Sequence, residues 1–282
     1  MSTLAFKTIG IGVTFSPNLE ANINEAARFA LCFSSKLVLI HVGEASEKKT
    51  NIFLRFLSPF KSKGLEFELL FQPGGPVDVI LSSTKEKNID LLIIGALKKE
   101  NFLKYYLGSI ARKITRQASC SVLLLINPSV KRVPCKHIVV NGLKDPKTKE
   151  TLTTAFLVGH KLGVDKITVV EEIEQDEVSV KVDDDKSLRK STIVKERLRL
   201  REEARVKKVL DTIPANYTKD MTIKSQPIFG KRGYSIGHYA QVARADLLVM
   251  NAPTKMTFWD RLFPHDIEHI LTELPTDVLI VQ

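Results

Sequence analysis

Between Asp90 and Ile114 the chain reads DLLIIGALKKENFLKYYLGSIARKI. The uncharged run Leu91–Ile94 delivers the backbone to Gly95, and thirteen residues later Gly108-Ser109 opens an amphipathic stretch of helical period. A strand, a loop and a glycine at a helix start form an arrangement that holds phosphate through backbone N–H groups. Gly108, Ser109 and Ile110 would present those groups, and Lys98, Lys99 and Lys104 would add positive potential. Other residue types with reactive potential form no such constellation. Cys32, Cys120 and Cys135 are odd in number and lack metal-ligand spacing; two of them fall in apolar stretches, as buried thiols of a reducing cytoplasm would. His265 and His269 have the i, i+4 spacing of metal ligands, but no third ligand accompanies them, and a solvated helix start is the expectation. His41 and His160 stand singly in apolar patterns, and Ser34-Ser35 and Ser82-Ser83 have no glycine elbow. No enzyme signature emerges.

The elements that would carry the loop follow from periodicity. Thr8–Val13 reads as a strand, Asn18–Ser34 as a helix, Lys36–Val42 as a strand and Ile52–Phe60 as a short helix. Glu66–Phe71 is a third strand, and Pro76 begins a helix, where its missing N–H costs nothing. Asp90–Ile94, a helix over Ser109–Gln117 and Ser121–Ile126 complete five strands. Uncharged strands alternating with helices predict a parallel sheet covered on both faces.

The order then repeats. Lys136–Asn141 resembles the first strand, Lys149–Leu162 the first helix, and Lys166–Val170 the second strand. DLLIIGA at Asp90 returns as DLLVMNA at Asp246, and VLLLI at Val122 as VLIVQ at Val278, both 156 residues on. KLVLI at Lys36 matches KITVV at Lys166 only 130 residues on, so the second copy carries about 26 extra residues. The charged segment 171–190 would supply most of them, as a loop or β excursion before a long basic helix. The expected domains are 1–130 and 136–282, with Asn127–Pro134 as linker.

The chain has 282 residues and a formal net charge of +10, with basic residues concentrated between Arg189 and Lys208. No RNA-binding aromatic pattern or zinc-finger spacing goes with them, so a solvated basic helix face is expected and nucleic acid disfavoured. No run approaches the ~18 apolar residues of a membrane span, and the first residues lack the pattern of a secretory signal. A cytoplasmic location, without membrane attachment, is the expectation.

The tandem pattern resembles the universal stress protein family in its two-domain form. The likeness is carried by GPVDVILSSTKEKNIDLLIIG, GSIARKITRQASCSVLLL and KLVLIHV, and it covers nearly the whole chain, more weakly over 171–225. It implies an α/β fold of two tandem five-stranded parallel-sheet, Rossmann-like domains packed as a pseudo-dimer. It also implies an adenine-nucleotide site in members with G-x2-G-x9-G-[S/T] after the fourth strand. Gly95, Lys98, Gly108 and Ser109 stand at those positions here, Thr14 at that of the family's nucleoside-holding acid, and Val42 where backbone would meet adenine. Lys98 for glycine would strain a loop that demands positive φ, and Thr14 cannot give a charge-assisted pair. In the second copy Asn251, Thr254 and Pro264-His265 replace the glycines, Asn141 stands near the acidic position, and Glu172 replaces Val42. Any ATP or other adenine nucleotide is therefore expected in the first domain alone.

The resemblance points to a non-catalytic stress-response or regulatory protein. Its expected partners are the two domains themselves, a possible further homodimer, and an unidentified protein; Phe258, Trp259, Leu262 and Phe263 read as a packing or docking surface where the phosphate loop would be. The different-class alternatives are an ATP-hydrolysing switch using the Gly95–Ser109 loop and a basic-helix module for nucleic acid or an acidic partner.

Overall fold

The computed structural model describes residues 6–98, 105–178, 180–252, 266–272 and 274–282. These fold as two compact α/β units, one of residues 1–134 with 271–282 and the other of 135–270.

In the first unit β1 (Thr8–Val13), β2 (Lys36–Val42), β3 (Phe67–Gln72), β4 (Leu91–Gly95) and β7 (Ser121–Leu125) form a parallel sheet in the order β7-β4-β1-β2-β3. Helices α1 (Leu19–Phe33), α2 (Glu47–Lys61), α3 (Pro76–Glu86) and α4 (Ser109–Gln117) make the crossovers. Ile9, Ile11, Leu37, Leu39, Leu91, Leu92 and Ile93 are fully buried, which explains why these strands read as continuous apolar runs. Gly10 and Gly12 are explained by packing: a Cβ on Gly10 would lie 2.5 Å from Ile89 Cδ1, and one on Gly12 3.2 Å from Ile80 Cδ1. Between Gly95 and Gly108 a short hairpin, β5 (Leu97–Lys98) with β6 (Tyr105–Tyr106), was not expected.

The second unit has β8 (His137–Asn141), β9 (Lys166–Ile173), β10 (Thr222–Phe229) and β11 (Leu247–Asn251), parallel where β10, β9, β8 and β11 pair in that order. Its helices are α5 (Thr148–Leu162), α6 (Asp185–Leu210), α7 (Ala215–Thr218) and α8 (Tyr234–Val242). The extra residues form a connection with one 3-10 turn, Gln175–Glu177, followed by the long basic helix that the sequence led one to expect. β9 continues through Ile173, and Asp184 caps α6 in a reciprocal box with Ser187, so the helix runs 26 residues where α2 runs 15. Helix-favouring Lys, Arg, Leu and Glu dominate that stretch.

The last strand also differs from the sequence-based division. β12 (Asp277–Val281), read above with the second copy, belongs to the first unit, where it runs antiparallel to β7 with Val278 opposite Leu124 and Ile280 opposite Val122. Ile126 N–H donates to Asp277 Oδ1 at 2.8 Å, and Gln282 Nε2 donates to the Ala118 carbonyl at 3.0 Å. α9 (Asp266–Thr272) precedes it.

Matching details recur at fixed intervals. Asp90 Oδ2 accepts from Lys7 N at 2.8 Å and Thr8 N at 3.0 Å, and Asp246 Oδ2 accepts from Lys136 N at 2.8 Å and His137 N at 2.9 Å. Left-handed residues end equivalent helices, Ser34 (φ 55°) and Gly163 (φ 72°), and precede equivalent strands, Asn88 (φ 49°) and Arg244 (φ 50°). Arginine gains nothing from that conformation, whereas glycine adopts it freely. Arg244→Gly should therefore raise stability by about 1 kcal/mol. Asp90→Ala, which strands two N–H groups, should lower it by about 1–2 kcal/mol. Urea unfolding of the full chain reads both.

Candidate functional site

From β1 the chain moves to β2 on one side, while β4 lies on the other. A crevice opens beyond the carboxyl ends of strands at such a switch point. Exposed Thr14 follows β1 there, and Gly95 ends β4. A Cβ added at Gly95 would come within 2.8 Å of Asn22 Nδ2 and 3.0 Å of Asn22 Oδ1, so that amide would have to shift. Asn22 Oδ1 is buried without a hydrogen-bond partner. Asn22 was missed in the sequence; its signal was an amide within the apolar stripe Leu19, Ile23, Ala26 of α1.

Across the loop, Gly108 caps α4 with extended backbone (φ −60°, ψ 159°) and no side-chain hydrogen bond, and no acidic residue occupies the first turn. Exposed Ser109 and Ile110 begin the helix, and among the described residues no side chain accepts from their N–H groups. Gly108 O accepts from Arg112 N at 2.9 Å, which fixes the first turn. The strain expected at Lys98 is not incurred. Its backbone pairs with Tyr105 in the hairpin, and the described non-glycine residues with positive φ are Ser34, Asn88, Asp220 and Arg244. Lys99 and Lys104 lie outside the described residues.

Val42 ends β2 half-buried, opposite Gln72, and Gly43 (φ 134°) turns the chain away while donating to Gln72 O at 2.9 Å. Beside it Phe15, 45% exposed, stacks on Phe53 at 5.5 Å and meets the edge of His41 at 5.3 Å. His41 is buried, with Nδ1 3.1 Å from the Val13 carbonyl oxygen and Phe71 on another side, so it is a satisfied core histidine. Thr14, Gly95, Gly108, Ser109 and Ile110 thus line one end of the sheet, with Val42 beside an aromatic cluster.

In the second unit the corresponding region is filled. Strand register places Leu143, rather than Asn141, at the position of Thr14: Thr8 pairs with Lys36 as His137 pairs with Lys166. Asn141 is buried and its Oδ1 accepts from Leu143 N at 2.9 Å, which ties down its own loop. Arg205 of α6 donates to the carbonyls of Gly142 and Leu143 and pairs with Glu202 at 2.7 Å. Glu172 does not face a phosphate position. Its oxygens accept from Gly233 N at 3.1 Å and Ile236 N at 2.8 Å, capping α8, whose own N-cap is a glycine. Thr254, Trp259, Pro264 and His265 lie outside the described residues. Among the described residues no group of three His, Cys, Asp or Glu could hold a metal, and no helix is long and apolar enough to cross a membrane.

The α/β class defined by these sheets is the one expected from the sequence. Residues 60–125, from the end of α2 through β7, match the model of the universal stress protein family. Universal stress protein YxiE of Bacillus subtilis (strain 168) is 30% identical over 63 residues, 22% of this chain and 43% of that relative, so the match spans less than half of the curated relative's length. A functionally unknown protein of Pseudomonas aeruginosa PAO1 superposes with a TM-score of 0.70 at 17% identity, over 98% of this chain and 92% of the other. A universal stress protein of Archaeoglobus fulgidus DSM 4304 gives 0.65 at 14% identity, over 98% of each chain. Over residues 60–125 the chain is thus similar in sequence to the universal stress protein family, and its fold is shared with the two solved structures.

The second unit also holds a buried carboxyl at Glu171, the position of His41 in the first. Ser225 Oγ donates to its Oε1 at 2.8 Å, while Oε2 has no hydrogen-bond partner. Burial pushes its pKa up to about 7, against the opposing pull of Ser225 and Arg205. A raised carboxyl pKa favours folding in full below 4.5, the unfolded value, and that contribution is lost as pH rises through about 7. Glu171→Gln should remove a slope worth on the order of 3 kcal/mol across that window. Denaturant midpoints at pH 5 and pH 8 should differ in the parent and converge in the variant. Glu172→Ala, which uncaps α8, should cost about 1–2 kcal/mol at either pH.

Proposed function

We propose that this protein is a non-catalytic stress-response or regulatory protein of the cytoplasm, with one weak adenine-nucleotide site, in its first unit. The observation that carries the reading is the contrast between the two sheet ends. In the first unit α4 starts at Gly108-Ser109 with no side-chain cap, and β4 ends at Gly95 beside the unpartnered Oδ1 of Asn22. In the second, Arg205 and Asn141 fill the equivalent loop, and Glu172 is committed to α8.

The residues of the first unit fit a phosphate-bearing ligand. The N–H groups of Ser109 and Ile110 would hold the phosphates at the positive end of the α4 dipole, and Lys98 would contribute charge. Asn22 would offer an amide and Thr14 one hydroxyl to the nucleoside, and Val42 backbone groups to the base. Thr14 in place of a carboxylate removes a charge-assisted hydrogen bond, which lowers affinity by about tenfold or more.

Calorimetric titration of the whole chain with ATP, ADP and AMP tests this reading. The expected result is about one weak site per chain, abolished by Gly108→Pro, with no phosphate release over hours. Two equivalent sites, or binding that survives Gly108→Pro, would refute it.

A further inference from the structure

α6 carries ten Lys and Arg against four Asp and Glu, a net +6 of the chain's formal +10. It is covered on one side only, where Ser191, Glu202 and Val206 are buried. Three of its arginines are neutralised by carboxylates: Arg199 by Glu196 and Glu203, Arg201 by Glu177 and Glu202, and Arg205 by Glu202. These pairs tie the helix to itself and to its own unit. The outer face is left with a different set.

At about 100° per residue, Ile193, Leu200 and Ala204 fall within roughly 40° of one another, on the side away from Val206. Ile193 is 53% and Leu200 52% exposed. Arg189 and Lys207 flank this apolar line at about 40° on one side, and Arg197, Lys190 and Lys208 at about 40–60° on the other. All five are exposed and have no ion pair with a described carboxylate. Of the acids beside this face, Glu196 and Glu203 are engaged by Arg199 at 2.6 and 2.9 Å, and Asp185 stands in the first turn. The array runs about 28 Å along the helix.

We infer that this face of α6 docks on an anionic lipid surface. A convex helix with an aliphatic line between two rows of cations matches the boundary between charged headgroups and acyl chains. Each free cation gains from the negative surface potential while the aliphatic side chains leave water. A nucleic-acid backbone would satisfy the cations but offers nothing to Ile193 and Leu200. A coiled-coil partner would need a second apolar column three residues on, and Glu196 and Glu203 stand there. Attachment of this kind is peripheral and needs no spanning helix.

Flotation of the full chain with phosphatidylcholine vesicles, with and without phosphatidylserine, is the test, alongside fluorescence anisotropy with duplex and single-stranded DNA. Binding is expected only with phosphatidylserine and is expected to weaken as salt rises. Ile193→Ser with Leu200→Ser should lower vesicle affinity about tenfold. Replacing Arg189, Lys190, Lys207 and Lys208 by Gln should lower it a hundredfold or more. All of these residues are exposed, and far-ultraviolet circular dichroism checks that the fold persists. No partition into phosphatidylserine vesicles would overturn the inference, as would vesicle binding insensitive to the aliphatic pair. DNA binding tighter than vesicle binding, lost with the four cations, would reassign the face to nucleic acid.

Discussion

Each unit depends on one carboxylate. Asp90 and Asp246 stand one residue before β4 and β11, and each accepts two backbone N–H groups at the start of the neighbouring strand, β1 or β8. Parallel strands cannot be registered by a short turn, because their connection runs through a helix. A carboxylate that grips the next strand's first two donors sets that register at the amino end. With the register fixed there, the carboxyl ends of the same strands diverge into their loops at a defined place, and the crevice forms at that opposite end. The same clamp in both units explains why DLLIIGA and DLLVMNA recur with their aspartates unchanged.

From this shared frame the units part company at the carboxyl ends. The first unit closes the side near β2 with stacked rings, Phe15 on Phe53 beside His41 and Phe71, and leaves the β1–β4 crevice to Thr14, Asn22 and Gly95. The second replaces rings by ions. Glu171 takes the place of His41, and Arg205 with Glu202 reaches from the lengthened α6 to the loop after β8. A buried carboxyl with one unpartnered oxygen is costly, and the guanidinium nearby only partly offsets it. The insertion in the second copy thus supplies the plug that fills the equivalent region.

The first unit is also not built from the first copy alone. β7 is buried along its whole length, and its edge away from β4 would expose a row of backbone donors and acceptors. β12 covers that edge, and its central residues Val278, Leu279 and Ile280 are fully buried. The two copies therefore cannot be cut apart at the linker without removing a strand from the first sheet.

Much of this was legible in the residues themselves. The uncharged runs at Ile9, Leu37 and Leu91 are continuous because both sheet faces are covered, and that pattern is local. Gly108-Ser109 declared a helix start, and the return of DLLIIGA as DLLVMNA and of VLLLI as VLIVQ at one offset declared the duplication. What the residues could not declare was direction and reach. Glu172 reads as a charge facing a phosphate site, yet it caps α8, because a side chain's target across a crossover is fixed by packing. Segment 171–190 reads as a loop or β excursion leading to a basic helix, but where β9 ends, at Ile173, and where Asp184 and Ser187 cap α6 are set by strand pairing and capping that the charge pattern does not show. β12 follows the second copy in sequence, and only sheet pairing assigns it to the first unit. The sequence by itself determined the elements, the repeat and the open helix start. Which end of which sheet is filled, and by which side chains, was decided by contacts between residues tens of positions apart, which no local period encodes.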